Sequence, residues 1–178
     1  LNPVFMSIVP LFHCNGWNHI WMMPLLGGTL VCCRDILASS IYNAIADEGV
    51  QYFGGAPIVL NMIVNAKPEE RREFNHTVEV FTAGSPPAPA TLAKIEPLGF
   101  NITQVYGLTE TYGHITECIW KEDDWDKLPN EKRVEIKARQ GVAFPMMEHI
   151  TVMDKEMHQV PMDGETQGEI MIRGNCVM

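Results

Sequence analysis

Gln104-Val105-Tyr106-Gly107-Leu108-Thr109-Glu110-Thr111 sets an aromatic ring, a glycine, hydroxyls and a carboxylate directly after the apolar run that ends at Val105. The pattern reads as a strand that delivers a polar site. Gly107 is expected to let the chain leave the sheet sharply, so that the following side chains converge where open α/β sheets bind ligands. The chemistry suits a nucleotide. Tyr106 is apt for stacking on a base, Thr109 for bonding a phosphate oxygen, and Glu110 for holding a hard cation such as Mg²⁺ between phosphates. The same Thr-Glu-Thr is also good capping chemistry for a following helical segment. The octapeptide by itself leaves both open.

Working outward, the chain alternates strand and helix. Val4 to Val9, Thr29 to Cys33, Gln51 to Phe53, Val78 to Phe81 and Asn101 to Val105 read as strands. Between them, Asn18 to Leu26, Asp35 to Glu48, Ile58 to Val64 and Pro89 to Leu98 carry helical spacing, with Gly27-Gly28 and Gly49 as stops. Strict alternation predicts an α/β fold with a mostly parallel sheet covered by helices. Beyond Thr116 the pattern changes to short strands, Ile150 to Met153 and Glu169 to Ile172, separated by the turn-rich Asp163-Gly164. The expected division is therefore an α/β unit over residues 1–115 and a linker with the start of a small β-barrel-like unit over 116–178.

The 178 residues and 46% hydrophobic content suffice for one substantial core. A net charge of -9 removes the basic field that nucleic acid requires as a general partner. The cysteines, Cys14, Cys32, Cys33, Cys118 and Cys176, lack C-x-x-C spacing and sit mostly among apolar neighbours, which points to a reducing, cytoplasmic setting rather than a disulfide framework or zinc site. The longest apolar stretch, Ile20 to Cys33, is shorter than the roughly 20 residues that span a bilayer, and Pro24, Gly27 and Gly28 interrupt it, so no transmembrane segment is expected. The acidic cluster Glu122 to Asp126 reads as a hydrated loop, and His114, four residues past Glu110, as a loop residue near the site.

Two further stretches carry site chemistry. In Pro10-Leu11-Phe12-His13-Cys14-Asn15-Gly16-Trp17 a turn after a strand presents an imidazole and an indole, suited to an apolar tunnel with a polar mouth and equally to a core His and Trp with satisfied N–H groups. In Thr82-Ala83-Gly84-Ser85-Pro86-Pro87 a small-residue loop after a strand lets backbone amides approach a flat ligand, though Ser85 also serves as an ordinary turn residue.

These stretches, in this order, resemble the signatures of the adenylate-forming superfamily of acyl-CoA synthetases, luciferase-like enzymes and peptide-synthetase adenylation domains. Gly164 to Gly174 and Gln140 to Pro145 match its structural landmarks. The resemblance implies the amino-terminal subdomain of that fold. It assigns Gly84, Ser85, Pro86, Gln104, Tyr106, Gly107 and Thr109 to the ATP site, Glu110 to Mg²⁺, and His13, Thr109 and Glu110 to catalysis. It assigns His13, Trp17 and Thr111 to the acid. The implied activity is ATP-dependent activation of a carboxylic acid, a medium- or long-chain fatty acid from the Phe-His-x-x-x-Trp context, followed by transfer to CoA. An aryl or small-acid ligase and a non-catalytic nucleotide-binding domain remain alternatives, and a homodimer is left open. The superfamily's phosphate loop is expected before Leu1, and its ribose-binding Asp, hinge and carboxyl-terminal Lys after Met178. The chain is thus expected to be an internal piece, inactive alone.

Overall fold

The computed structural model describes residues 2–178, with the side chains at 122 and 123 lying outside the described residues. Its first strands are β1 (Val4–Ser7), β2 (Thr29–Cys32), β3 (Tyr52–Gly55), β4 (Val78–Thr82) and β5 (Phe100–Leu108), paired in parallel. The helices between them are α1 (Cys14–Leu25), α2 (Ala38–Glu48), α3 (Pro57–Val64) and α4 (Pro89–Ile95). Antiparallel β6 (Gly113–Glu117) and β7 (Val142–Ala143) complete a seven-stranded sheet of order β2-β1-β3-β4-β5-β6-β7. The mostly parallel α/β sheet covered by helices is the fold that the alternation predicts.

The strand order sends β1 to β2 in one direction and β3 to β5 in the other. Right-handed crossovers then place α1 on one face and α2, α3 and α4 on the opposite face. The packing agrees. One continuous core joins Met6, Phe53, Val80, Phe100 and Ile102 of the sheet to Ile41 and Ile45 of α2, Leu60 and Ile63 of α3, and Leu92 and Ile95 of α4. Phe100 is its centre, with Tyr42, Phe53 and Phe74 rings at 6.0, 6.4 and 5.6 Å between centroids. Truncating such a side chain to Ala costs about 3–5 kcal/mol. On the other face Phe5 stacks on His19 of α1 at 3.8 Å, while Trp21 and Leu25 of that helix stay exposed.

Two expectations change here. The opening strand runs on through Gly107 to Leu108, because β6 pairs with its last residues; the chain turns at Thr109, not at Gly107. The sheet also continues past residue 115, since β6 extends to Glu117 and β7 to Ala143. A separate two-stranded antiparallel sheet, β8 (Met147–Met153) with β9 (Glu169–Gly174), stands where the barrel-like unit is expected. We propose that the boundary between the units lies between Ala143 and Met147. The backbone of the acidic stretch forms a short helix, α5 (Glu122–Trp125), followed by α6 (Asn130–Lys137).

Candidate active site

The site forms at the carboxyl edge of the parallel strands, next to the reversal of strand order between β1 and β3, which is where open α/β sheets leave a crevice. The last parallel pair of β4 and β5 is Thr82 with Gln104. Beyond it, Val105 to Leu108 project past β4, held only by β6, and form a ledge beside the loop that leaves β4. That loop, through Gly84 (φ 90°), Ser85 and Pro86, is exposed along the ledge. The carboxyl ends of β1 and β3 supply the other side. His13 is the residue before α1, extended (φ -86°, ψ 145°), and its side chain does not cap the helix. Asn15 packs on Gly54, where a Cβ would come within 2.6 Å of the Asn15 side chain.

The ledge ends in a single 3-10 turn, Thr109–Thr111. Thr109 and Glu110 are exposed there, and Tyr106 is half-buried on the ledge. The turn is riveted by buried Thr111, whose hydroxyl accepts from Leu108 N–H at 3.0 Å and shares its proton between the carbonyls of Gly113 at 2.9 Å and Leu108 at 3.0 Å. Thr111 therefore holds the turn. Gln104 is likewise buried, on the strand side of Phe100 and Ile102, and its Oε1 meets no hydrogen-bond partner among the described residues. Alternation and turn closure aim both side chains inward. Trp17 is 46% exposed on α1, with Trp21 edge-on at 5.7 Å.

One further residue joins the site unannounced by the sequence, and another, His114, differs in kind from what was expected. Tyr112, which follows the turn, donates from its hydroxyl to Asn18 of α1 at 2.9 Å. His114 is a strand residue, not a loop residue. It sits between Phe81 of β4, stacked at 6.5 Å, and Phe144, edge-on at 4.1 Å. Burial among these rings pushes its imidazole below the ordinary value, against a smaller opposing pull from Glu117. The signal available in sequence was the Tyr112-Gly113 dipeptide, whose glycine takes φ 126°. Nothing local pointed to Asn18.

The Glu110 carboxylate makes no salt bridge among the described residues. An exposed, uncommitted carboxylate of this kind fits Mg²⁺, which is held by one or two carboxylates and takes its remaining ligands from phosphates and water. The arrangement offers a ledge for a flat base, a hydroxyl and carboxylate suited to phosphates, and an imidazole at the start of α1.

The pattern of the AMP-binding enzyme family matches residues 1–178. An acetate–CoA ligase of Humulus lupulus is 47% identical over 177 residues, covering 98% of this chain and 31% of that protein. A peroxisomal trans-cinnamate:CoA ligase of Petunia hybrida is 41% identical over 177 residues, covering 99% of this chain and 31% of that protein. In structure, o-succinylbenzoate coenzyme A synthetase from Bacillus subtilis, in complex with ATP and magnesium ion, superposes with a TM-score of 0.73 at 22% identity, over 99% of this chain and 34% of that one. The chain thus spans about a third of the length of the curated relatives it matches.

Proposed function

The chain belongs to the AMP-binding enzyme family, and from that premise we propose that the protein is an AMP-forming acyl-CoA ligase in which this chain supplies one wall of the adenylation site. The observation that carries the proposal is the ledge. It presents Tyr106, Thr109 and Glu110 at the open end of β5, next to the strand that leads into the Gly84-Ser85-Pro86 loop, with Cys14, the neighbour of His13, against Gly113.

In the first step the acid's carboxylate attacks the α-phosphorus of ATP and pyrophosphate leaves. In the second the CoA thiol attacks the acyl-adenylate carbonyl and AMP leaves. Tyr106 and the small-residue loop hold the base, Thr109 donates to the α-phosphate, and His13 orients the carboxylate. Glu110 would hold Mg²⁺, which supplies charge neutralisation at the phosphates. Both first-step reactants are anions, so a crevice that fixes them side by side lowers the barrier by removing the entropic cost of their encounter.

For the acid, we place a small carboxylic acid ahead of the medium- or long-chain fatty acid expected from the Phe-His context. The acids in the names of the two relatives above are acetate and trans-cinnamate. The compartment stays with the reducing setting suggested by free Cys14, Cys32, Cys33, Cys118 and Cys176, with the peroxisome as the competing site named for one relative. No helix among the described residues is long and apolar enough to cross a membrane.

The deciding experiment is acid-dependent exchange of labelled pyrophosphate into ATP by the full-length protein, across acetate, butyrate, cinnamate and palmitate, with Glu110→Gln alongside. Exchange with the small acids, lost in the variant, is expected. Nucleotide binding without exchange for any acid would instead favour a non-catalytic domain.

A further inference from the structure

Tyr112 has φ 51° and ψ 40°, a left-handed conformation that a bulky residue keeps only where its surroundings hold it. The backbone is held from both sides. Tyr112 N–H bonds the Thr109 carbonyl at 3.1 Å, and the Thr111 hydroxyl ties Leu108 to Gly113. The side chain, 56% exposed, reaches across the crevice to Asn18. Among the described residues this is the one side-chain hydrogen bond between the turn and α1. An exposed hydrogen bond adds little to stability, because water replaces it, and a left-handed backbone works against it. The arrangement therefore serves position rather than stability.

Helix α1 has a use for such a tie. Its first residues are set by close approach: Asn15 on Gly54, and Cys14 with its Sγ 3.4 Å from where a Cβ on Gly113 would lie. These contacts fix where the helix begins, and the Phe5–His19 stack and buried Met23 seat the side of the helix that lies on the sheet. Asn18 lies one turn further on, where its bond to Tyr112 sets the separation between the helix and the turn on the crevice side. We infer that Tyr112 and Asn18 are a pair of positioning residues, which hold the helix start carrying His13 and Trp17 at a set separation from the turn carrying Thr109 and Glu110. The catalytic consequence rests on the ligase function proposed above.

The test uses the full-length protein with Tyr112→Phe, which removes only the hydroxyl, with Asn18→Leu, and with both. In acid-dependent pyrophosphate exchange each single variant is expected to lower turnover about tenfold while KM for ATP stays within about twofold. The double variant should be no worse than either single one, since the same bond is lost. Asn18→Asp, which keeps the acceptor oxygen, should restore turnover, and melting temperatures should not move. Unchanged turnover, or losses that multiply in the double variant, would overturn the pair. Hydrogen exchange without substrate tests the geometry alone: Tyr112→Phe should speed exchange at the Tyr112 and Trp17 amides, and equal exchange would overturn the pair whatever the activity. If the unsubstituted protein exchanges pyrophosphate with no acid, the ligase function fails, and hydrogen exchange decides the pair by itself.

Discussion

Thr82 and Gln104 stand opposite each other in the β4–β5 register, both buried, and each carries a side-chain oxygen that no described residue hydrogen-bonds. They are the last residues before the two segments that make the candidate site. A buried polar group without a partner costs about 1–3 kcal/mol, whereas an apolar group of the same shape does not. Thr82→Val and Gln104→Met should therefore leave stability unchanged or raise it by up to about 1 kcal/mol. Denaturant unfolding measures this, and a clear loss in either variant would show that the groups are bonded after all.

Gly107 and Gly49 should respond very differently to alanine. A Cβ on Gly107 would lie 1.9 Å from the Gly113 carbonyl oxygen, a backbone atom in the paired strand that cannot swing aside. Gly107→Ala must force β5 and β6 apart, at a cost of about 3 kcal/mol. Gly49 ends α2 at φ 68° with nothing within 4 Å of its missing Cβ. Gly49→Ala meets only the left-handed penalty, about 1 kcal/mol. Comparable melting temperatures for the two variants would contradict the close β5–β6 approach.

Buried Lys137 of α6 pairs with Glu96, donates to Asn101 Oδ1 at 2.9 Å and lies 4.9 Å from the centre of the Trp120 ring. Arg133 approaches the same Glu96 carboxylate at 3.3 Å. Glu96→Gln strips the countercharge from both cations and should cost about 3 kcal/mol. Lys137→Met keeps the Arg133–Glu96 contact and should cost roughly half as much. Chemical denaturation of both variants tests the order, and the reverse order would refute it.

Two groups should titrate away from their ordinary values in an NMR pH series. Burial holds His114 below 6.5, so the folded state disfavours its protonation. Its contribution to stability is complete above 6.5 and is lost as pH falls through the lower folded value. Asp163 is held down to about 2 because its carboxylate accepts from the Thr166 hydroxyl at 2.6 Å and from the amides of Thr166 and Glu165 at 2.8 and 2.9 Å. Its contribution is present above its ordinary 3.8 and fades as pH falls toward 2. An Asp163 midpoint near 3.8 would show that these hydrogen bonds do not persist in solution.

Much of this protein was legible in the linear pattern. Apolar runs of strand length alternating with amphipathic runs dictated a parallel α/β sheet, because each hydrophobic face must be buried and a parallel connection needs a crossover. The exposure of Thr109 and Glu110 after β5 was legible for a similar reason. A polar cluster directly behind an apolar strand has nowhere to go but the sheet's edge.

What sequence could not decide was anything set by a distant partner. Gly107 looked like an exit from the sheet until β6 paired with it. The burial of Gln104 and Thr111 was likewise not local, since the register of β4 and the closure of the turn aim them inward. Asn18 and Tyr112 are 94 residues apart and meet only because the strand order brings α1 beside the end of β5. Local propensity determined which elements form and where their polar ends lie. Tertiary packing decided which of those polar groups face the crevice, because burial and hydrogen bonding are satisfied by neighbours in space rather than in sequence.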